Sequence, residues 1–257
     1  MKQQLTIIKV GGKIVEEEDT LKQLLKDFTA IPGAKVLIHG GGRSATKIAA
    51  QLGIESQMVN GRRITDAEML KVVTMVYGGL VNKTIVSRLQ AEGINALGLT
   101  GTDMDIIRSH KRPAKDVDYG FVGDVDAVNG ALLSDLIQKD IVPVIAPLTH
   151  DGKGNILNTN ADTIAGETAK ALAEYFDVTL FYCFEKKGVL KDADDDDSVI
   201  PYINEEAFRR YVEEGVIVGG MIPKLENAFN AIHAGVSKVV ITLASAIDGK
   251  SGTIIEK

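Results

Sequence analysis

The chain has 257 residues, of which 45% are hydrophobic and 25% are charged, with a formal net charge of −6. These proportions are typical of a soluble globular enzyme, and the acidic balance argues against a nucleic-acid partner or an anionic membrane surface. Cys183 is the single cysteine, which excludes an intramolecular disulfide, and no run approaches the roughly 18 uncharged apolar residues that span a bilayer. The apolar N-terminal stretch is interrupted by Lys9 and is too short for a signal peptide, so we expect a cytoplasmic protein.

Short β-rich apolar runs alternate with longer helical patterns along almost the whole chain. The predicted strands are residues 5–10, 35–39, 94–99, 141–146, 178–183 and 238–242. The predicted helices are residues 19–30, a segment that ends at 51, 67–91, 131–139, 161–175, 205–214 and 221–234. Continuous apolar strands that alternate with helices indicate an α/β fold, in which helices cover both faces of a mostly parallel sheet.

Two segments interrupt this alternation with strand-like pieces and turns. Residues 58–64 and 104–128 are predicted to form hairpins that project from the sheet. Residues 191–198 contain the run DADDDD, which is too charged for a core and is better explained as a solvated hairpin than as a metal site. No linker or repeat divides the chain. We therefore predict a single domain with two lobes, about residues 1–170 and 171–257.

Glycines follow two of the predicted strands. Gly11 and Gly12 follow the first strand, and three glycines follow His39 at the end of the second, directly before a helix. Exposed backbone amides at such junctions bind anions, and Lys9 adds a positive charge at the end of the first strand. The structural alternatives are a simple turn with Lys9 in solvent, and a packed His39 in place of a catalytic base. A dinucleotide site is disfavoured, because no Asp or Glu ends a following strand about twenty residues later.

Three further segments place polar residues beside turns or helix starts. Arg62 and Arg63 follow an Asn-Gly turn signal, where one guanidinium can hold a carboxylate or simply occupy a solvated hairpin tip. Asn158 and Asp162 flank a plausible helix N-cap and are candidates for ligand contact. Lys224 lies in the first turns of a helix, an unfavourable place for a cation unless it faces a phosphate.

Together and in order, these segments resemble the amino-acid kinase family over almost the whole chain. The Asn-Gly-x-Arg-x-Thr segment and the Asn-rich segment before a helix are the more specific motifs, whereas each glycine motif alone is weak. The matching motifs are KVGGK (9–13), HGGG (39–42), NGRRITDAE (60–68), VNKTIV (81–86), GFVGDV (120–125), NTNAD (158–162) and GGMIPK (219–224).

The resemblance implies a three-layer α/β/α sandwich around a mainly parallel sheet of about eight strands. It implies transfer of a phosphoryl group from ATP to the γ-carboxylate of an N-acyl-L-glutamate, with acetyl as the default acyl group, as in the second step of arginine biosynthesis. Mg²⁺ would be carried by the ATP phosphates, without a dedicated metal site on the protein. The alternatives are the same chemistry on N-succinylglutamate, another carboxylate or carbamate acceptor within the family, or a non-catalytic sensor of nucleotide or amino acid.

The resemblance also assigns roles to residues that match the family's motifs. The catalytic residues would be Lys9, Lys224 and Asp162, with the carboxylate orienting both lysines. The residues expected to bind the acylated amino acid are Gly41, Gly42, Arg63 and Asn158. The residues expected to bind phosphates or the nucleotide are Gly11, Gly12, Glu185, Gly188, Gly219 and Met221.

Two segments depart from the usual pattern of the family. Residues 184–189 read FEKKGV where relatives carry Thr/Ser-Asp-Val before a glycine, which leaves the nucleotide contacts open. The segment after Thr242 is short. The resemblance implies a homodimer formed by the N-terminal lobes. Because the first strand starts near Leu5, we expect neither the extra N-terminal helix of arginine-inhibited hexameric relatives nor that mode of inhibition.

Overall fold

The computed structural model describes residues 2–59, 62–192, 194–247 and 251–257. The strands are β1 (Gln4–Val10), β2 (Ala34–His39), β3 (Met58–Val59), β4 (Arg62–Arg63), β5 (Ala96–Leu99), β6 (Ile107–Lys111), β7 (Gly123–Val128), β8 (Val142–Ile145), β9 (Leu148–His150), β10 (Ile156–Asn158), β11 (Asp177–Phe184), β12 (Tyr202–Ile203), β13 (Lys238–Leu243) and β14 (Thr253–Ile255). The helices are α1 (Gly12–Glu16), α2 (Glu18–Ala30), α3 (Gly42–Gln51), α4 (Ala67–Val73), α5 (Asn82–Ala91), α6 (Gly130–Gln138), α7 (Ala161–Leu172), α8 (Glu205–Glu213) and α9 (Met221–His233). A π-helical segment, Thr74–Val81, joins α4 to α5, and a short 3₁₀ turn spans Asp103–Asp105.

The central sheet contains eight strands within the described residues, in the order β12-β14-β13-β11-β1-β2-β8-β5. The strands from β13 to β5 are parallel neighbours, whereas β14 is antiparallel to β13 and parallel to β12. The prediction of a mainly parallel sheet is therefore confirmed. The strands β12 and β14 were not predicted, because strands of two and three residues are too short to show a periodic pattern.

Helices cover both faces of this sheet, and the central strand β1 shows why. Its side chains alternate, so that Leu5 and Ile7 pack on one face and Ile8 and Val10 on the other. Buried residues of α6, α7 and α9 join the first cluster, with α8 packed against it. Residues of α2, α3, α4 and α5 join the second cluster. The predicted three-layer α/β/α arrangement is confirmed, and burial on both faces explains the continuous apolar strands.

The predicted helix 67–91 is helical throughout but is not a uniform α-helix. Its middle turns are the π-helical segment Thr74–Val81, which periodicity does not reveal. Tyr77 and Val81 of this segment pack against Gly41, where an added Cβ would lie 2.8 Å from Cδ1 of Tyr77. The π-helical turn therefore brings an aromatic ring against the glycine segment after β2.

Among the described residues, one helical stretch is long and apolar enough to cross a membrane by length and composition alone, namely Ala67–Ala91. Its side chains Met69, Val72, Ile85 and Leu89 are buried in the core cluster on one face of the sheet. These apolar residues therefore contribute to the core of the folded protein, as in a core helix of a globular domain.

The two predicted hairpins are present beside the main sheet. β3 and β4 pair antiparallel, although Asn60 and Gly61 of the predicted turn lie outside the described residues. β6 and β7 pair antiparallel within a second sheet of order β10-β9-β6-β7. In the acidic segment, Asp192 and residues 194–197 are exposed, and an antiparallel bridge between Leu190 and Val199 closes the segment, as expected for a solvated hairpin; Ala193 lies outside the described residues.

Candidate active site

The carboxyl ends of β11, β1 and β2 lie side by side, because these strands are parallel neighbours. The segments that follow these strands line a cavity of about 570 Å³, together with the start of α9. Loops and helix N-termini converge at this edge of a parallel sheet, where ligands commonly bind. The lining residues come from both halves of the chain and include Gly11, Gly12, Lys13, Gly42, Arg43, Phe184, Glu185, Gly188, Met221 and Lys224.

The two glycine segments of this cavity pack backbone against backbone. A Cβ on Gly12 would lie 3.2 Å from the Gly42 nitrogen, and a Cβ on Gly40 would lie 3.1 Å from the Gly12 nitrogen. α3 begins at Gly42 with Gly41 as its N-cap, and no side chain caps this end. Its first backbone amides are therefore available to an anion, and the helix dipole favours negative charge there.

His39 is fully buried beneath the second glycine segment. Its Nδ1 lies 2.8 Å from the Gly40 carbonyl oxygen, which can only accept, so Nδ1 carries the proton and Nε2 accepts from Asn82 Nδ2 at 3.1 Å. Asn82 Nδ2 also donates to the Val144 carbonyl oxygen at 2.9 Å. Burial lowers the pKa of His39 to about 4. The imidazole is therefore neutral at pH 7 and holds the glycine segment, which favours the packed alternative over a catalytic base.

Lys9, Asp162 and Lys224 meet beside the cavity from β1, α7 and α9. Lys9 is only 6% exposed, and its Nζ lies 2.6 Å from Asp162 Oδ1. Asp162 Oδ1 accepts no directed hydrogen bond from the described residues, so its attraction to Lys9 is that of an ion pair. Burial lowers the pKa of Lys224, while the charge of Asp162 opposes this shift and that of Lys9 adds to it. The three residues predicted as catalytic thus form one cluster, with one carboxylate near two ammonium groups.

Two aromatic rings pack against this cluster. The Tyr182 hydroxyl donates to the Asp162 carbonyl oxygen at 3.1 Å, and its ring stacks on that of Phe184 with centroids 6.1 Å apart. Lys224 Nζ lies 3.7 Å from the Phe184 ring centroid, and Lys9 Nζ lies 5.2 Å from it. Phe184 is the first residue of the segment that departs from the family pattern, and its contacts with the lysines were not predicted from the sequence.

A second cavity, of about 190 Å³, adjoins Gly41 and Gly42. Arg63 and Asn158 line it, with 8% and 9% of their surfaces exposed. Arg63 Nη2 donates to the Gly42 carbonyl oxygen at 2.8 Å, and Asn158 Nδ2 donates to Thr65 Oγ1 at 2.9 Å. The structure therefore brings all four residues predicted for the acylated amino acid to one cavity.

The same cavity contains an arginine that the sequence analysis missed. Arg112 Nε donates to both carboxylate oxygens of Asp124 at 3.1 Å, and these bonds raise the pKa of Arg112. Arg112 Nη1 is buried without a hydrogen-bond partner among the described residues, and Arg62 also lines the cavity. A buried donor without a partner indicates an acceptor on a ligand. Asp124 belongs to the GFVGDV motif, whereas Arg112 belongs to none of the motifs found in the sequence. Only its contact with Asp124 in the folded protein shows that it is part of this cavity.

The residues predicted to bind phosphates or the nucleotide are not all in one place. Gly219 lines neither cavity among the described residues, and its φ of +57° instead permits the turn before α9. Glu185 forms ion pairs with Lys13 at 3.0 Å and Arg43 at 3.3 Å. The residues of this set that line the first cavity are Gly11, Gly12, Glu185, Gly188 and Met221.

The donor groups around the first cavity suit a polyphosphate. Backbone amides and ammonium groups complement phosphate oxygens, and the volume accommodates an extended ligand. Within the part of the chain that the structure describes, no group of three His, Cys, Asp or Glu side chains is placed to hold a metal ion. Mg²⁺ bound to a nucleotide needs few protein ligands, because it keeps water and phosphate oxygens in its coordination shell.

Comparisons with known proteins agree on one family. The model described as "Amino acid kinase family" matches residues 4–243. An acetylglutamate kinase of Bacteroides fragilis is 76% identical over 257 residues, which cover 100% of this chain and 98% of that protein. The structure of smu.665 from Streptococcus mutans UA159 has a TM-score of 0.80 at 29% identity and 98% coverage of both chains. Carbamate kinase from Giardia lamblia bound to AMP-PNP, with a TM-score of 0.71 at 15% identity and coverage of 100% and 99%, shares the fold.

Proposed function

Because this chain belongs to the amino acid kinase family, we propose that it uses ATP to phosphorylate the γ-carboxylate of N-acetyl-L-glutamate, the second step of arginine biosynthesis. The observation that carries this proposal is the cluster of Lys9, Asp162 and Lys224 beside the polyphosphate-sized cavity. The full-length similarity to the Bacteroides fragilis acetylglutamate kinase supports N-acetyl-L-glutamate as the acceptor.

The reaction brings two anions together. A γ-carboxylate oxygen of the amino acid attacks the γ-phosphorus of ATP, the bond from that phosphorus to the β,γ-bridging oxygen breaks, and ADP leaves with the bonding electrons. The carboxylate is already ionised at pH 7, so no general base is needed. The protein must align the two anions and stabilise the charge on the moving phosphoryl group.

The named residues meet these two requirements. Lys9 and Lys224 place positive charge at the phosphoryl group from two different elements. Asp162 holds Lys9 in an ion pair and acts on Lys224 through its charge from a longer distance, without accepting a proton. The glycine amides after β1 and β2 donate to phosphoryl and substrate oxygens. Arg63 and Asn158 hold the α-carboxylate and the acylamide of the amino acid.

We propose the division into two lobes, and the lining of the two cavities supports it. We assign the acylated amino acid to residues 1–170, where Arg63 and Asn158 line the second cavity. We assign the nucleotide to residues 171–257, which supply Glu185, Gly188 and Met221 to the first cavity. Mg²⁺ enters with the ATP phosphates.

We also propose a homodimer in the cytoplasm, formed through the N-terminal lobes. Met75 and Leu80 of the π-helical segment are 54% and 57% exposed, and large exposed apolar side chains on one segment favour a protein interface. Light scattering should give twice the monomer mass for the wild type. Leu80→Glu should shift it toward the monomer, because an interface core disfavours charge. A monomeric wild type would contradict the dimer.

Purified protein tests the reaction directly. Mg-ATP and N-acetyl-L-glutamate should release ADP and give a hydroxamate with hydroxylamine, which traps acyl phosphates. Lys9→Ala and Lys224→Ala should each lower kcat by at least about 10²-fold. Lys26→Ala, which removes an exposed lysine of α2, is the matched control and should retain activity. Folded Lys9→Ala or Lys224→Ala protein with near-normal turnover would refute the mechanism.

One observation favours a second acceptor, an N-acylglutamate whose acyl group carries its own carboxylate, such as N-succinyl-L-glutamate. The α-carboxylate needs one arginine, yet Arg62 and Arg112 also line the cavity that contains Arg63. Within the described part of the chain, Arg112 Nη1 has no hydrogen-bond partner. The kcat/KM ratio of the two acyl substrates decides between them. If the succinyl substrate is favoured, Arg112→Met should remove the preference, since the extra carboxylate loses its guanidinium. An unchanged ratio in Arg112→Met would exclude this role for Arg112.

A further inference from the structure

Lys224 is held at the cavity in an unusual way. Among the residues that the structure describes, it has no carboxylate within ion-pair distance, because Asp162 is paired with Lys9. Its ammonium nitrogen instead lies 3.7 Å from the ring centroid of Phe184, within direct contact of the ring face. Lys9 approaches the same ring at 5.2 Å. One uncharged ring therefore contacts both proposed catalytic lysines.

We infer that Phe184 is a positioning residue for phosphoryl transfer, whose ring face holds the ammonium group of Lys224, and more weakly that of Lys9, at the cavity without neutralising either. The inference rests on the proposed function. An aromatic face attracts a cation through its quadrupole, and the attraction strengthens when the pair is shielded from water. It fixes the place of Lys224 while leaving its full positive charge for the phosphoryl group.

The charges around the ring explain why a neutral partner is useful there. A second carboxylate would form a tight pair with Lys224 and would repel the phosphates that must approach. Burial and the like charge of Lys9 lower the pKa of Lys224, and the charge of Asp162, which is beyond ion-pair distance, offsets this shift only in part. The ring opposes these two effects, because the cation–π attraction favours the charged amine.

The ring itself is well placed to act as a fixed surface. Phe184 ends β11, and its ring stacks on Tyr182 with an interplanar angle of 12°. Tyr182 is buried and bonded through its hydroxyl to the backbone of Asp162. The Phe184 ring is thus connected, through the stacked Tyr182 ring, to the start of α7, which carries the carboxylate paired with Lys9.

Fluorinated phenylalanines test this role without changing the packing. Mono-, di- and trifluorophenylalanine at position 184 weaken the ring quadrupole stepwise while nearly preserving its shape. We expect kcat to fall with each added fluorine, toward the loss of about 5- to 30-fold expected for Phe184→Leu. KM for ATP should change by less than about twofold, since the ring orients a transition-state charge rather than the nucleotide. The same series at Phe208, whose ring packs on Phe229, is the control and should leave kcat unchanged.

The pKa of Lys224 tests its contact with the Phe184 ring independently of the phosphoryl-transfer reaction. In protein containing [¹³Cε]lysine, the Lys224 signal, assigned by Lys224→Arg, should show a lower pKa with each fluorine, since a weaker quadrupole stabilises the ammonium less. If kcat and the pKa of Lys224 are both flat across the series, Phe184 only fills space and the inference is wrong. A rise in KM for ATP at constant kcat would also overturn it, by assigning the ring to the nucleotide. If the wild type transfers no phosphoryl group but the pKa of Lys224 still falls with each added fluorine, the proposed function is wrong and the contact between Phe184 and Lys224 is confirmed.

Discussion

Lowering the pH from 7 toward 4 tests the buried pair of His39 and Asn82. His39 donates from Nδ1 to Gly40 and accepts at Nε2 from Asn82, so both ring nitrogens are used by the neutral imidazole. A second proton would turn Nε2 into a donor that faces the Asn82 amide. Because His39 is fully buried, that charge would also lose its hydration. The native protein should therefore resist protonation of this ring.

The size of the effect follows from the pKa of His39 in the two states. The unfolded chain takes up the proton near pH 6.5, whereas burial holds the native pKa at about 4. Between these values the unfolded state binds more protons, so the free energy of unfolding decreases as the pH falls. At 1.36 kcal/mol per pH unit the loss reaches about 3 kcal/mol near pH 4, and it is absent above about pH 7. Such a loss is a large part of the 5–15 kcal/mol that stabilises a typical domain.

Urea unfolding at a series of pH values measures this loss. His39→Asn keeps an amide donor near the Gly40 carbonyl and cannot titrate, so its stability relative to wild type should improve by about 3 kcal/mol between pH 7 and pH 4. His110→Asn removes an exposed imidazole that is paired with Asp126, and it is the control for the loss of a surface histidine. Carboxylates away from His110 are common to all three proteins and cancel in the comparison. Parallel pH profiles for wild type and His39→Asn would show that the native imidazole titrates normally, which would refute the reasoning.

Two further substitutions test the site. Asp162→Asn leaves the nearly buried Lys9 without its counter-ion. We therefore expect the free energy of unfolding in urea to fall by about 2–3 kcal/mol, and kcat in the hydroxamate assay to fall by at least about 10²-fold. Wild-type stability in this variant would show that the ion pair is unimportant. Gly41→Ala places a Cβ 2.8 Å from the Tyr77 ring, and should cost about 1–3 kcal/mol and displace the α3 amides, lowering kcat. Tyr77→Leu should recover part of that loss in the double variant, whereas strictly additive losses would contradict the contact.

Much of the site could be located from the sequence because its motifs are local. Glycines directly after apolar strands indicate anion-binding turns, and Gly12 and Gly42 do lie backbone to backbone at one sheet edge. The prediction that Lys9, Asp162 and Lys224 act together rested on the resemblance to the family, because periodicity relates residues only within one helix or strand. Parallel strands return their carboxyl ends to the same edge, which explains how such distant residues meet.

Other features depend on contacts that sequence patterns do not encode. Arg112 and Asp124 pair across the β6–β7 hairpin, and the register of that hairpin is irregular between Arg108 and Ser109. The contact of Phe184 with Lys224 joins the end of one strand to a helix that begins well downstream. The role of each residue follows from its neighbours in space, so its identity alone could not show it.

The sequence by itself therefore determined the class of the fold, because apolar runs buried on two faces and intervening amphipathic helices permit few other arrangements. It also determined the glycine turns and the polar residues available to the site. Only the tertiary structure decided that His39 is neutral and buried, that Thr74–Val81 forms a π-helical segment, and that Phe184 lies under the lysines. These features arise from burial and packing between distant segments, whose energies depend on the arrangement of the whole chain rather than on local preference.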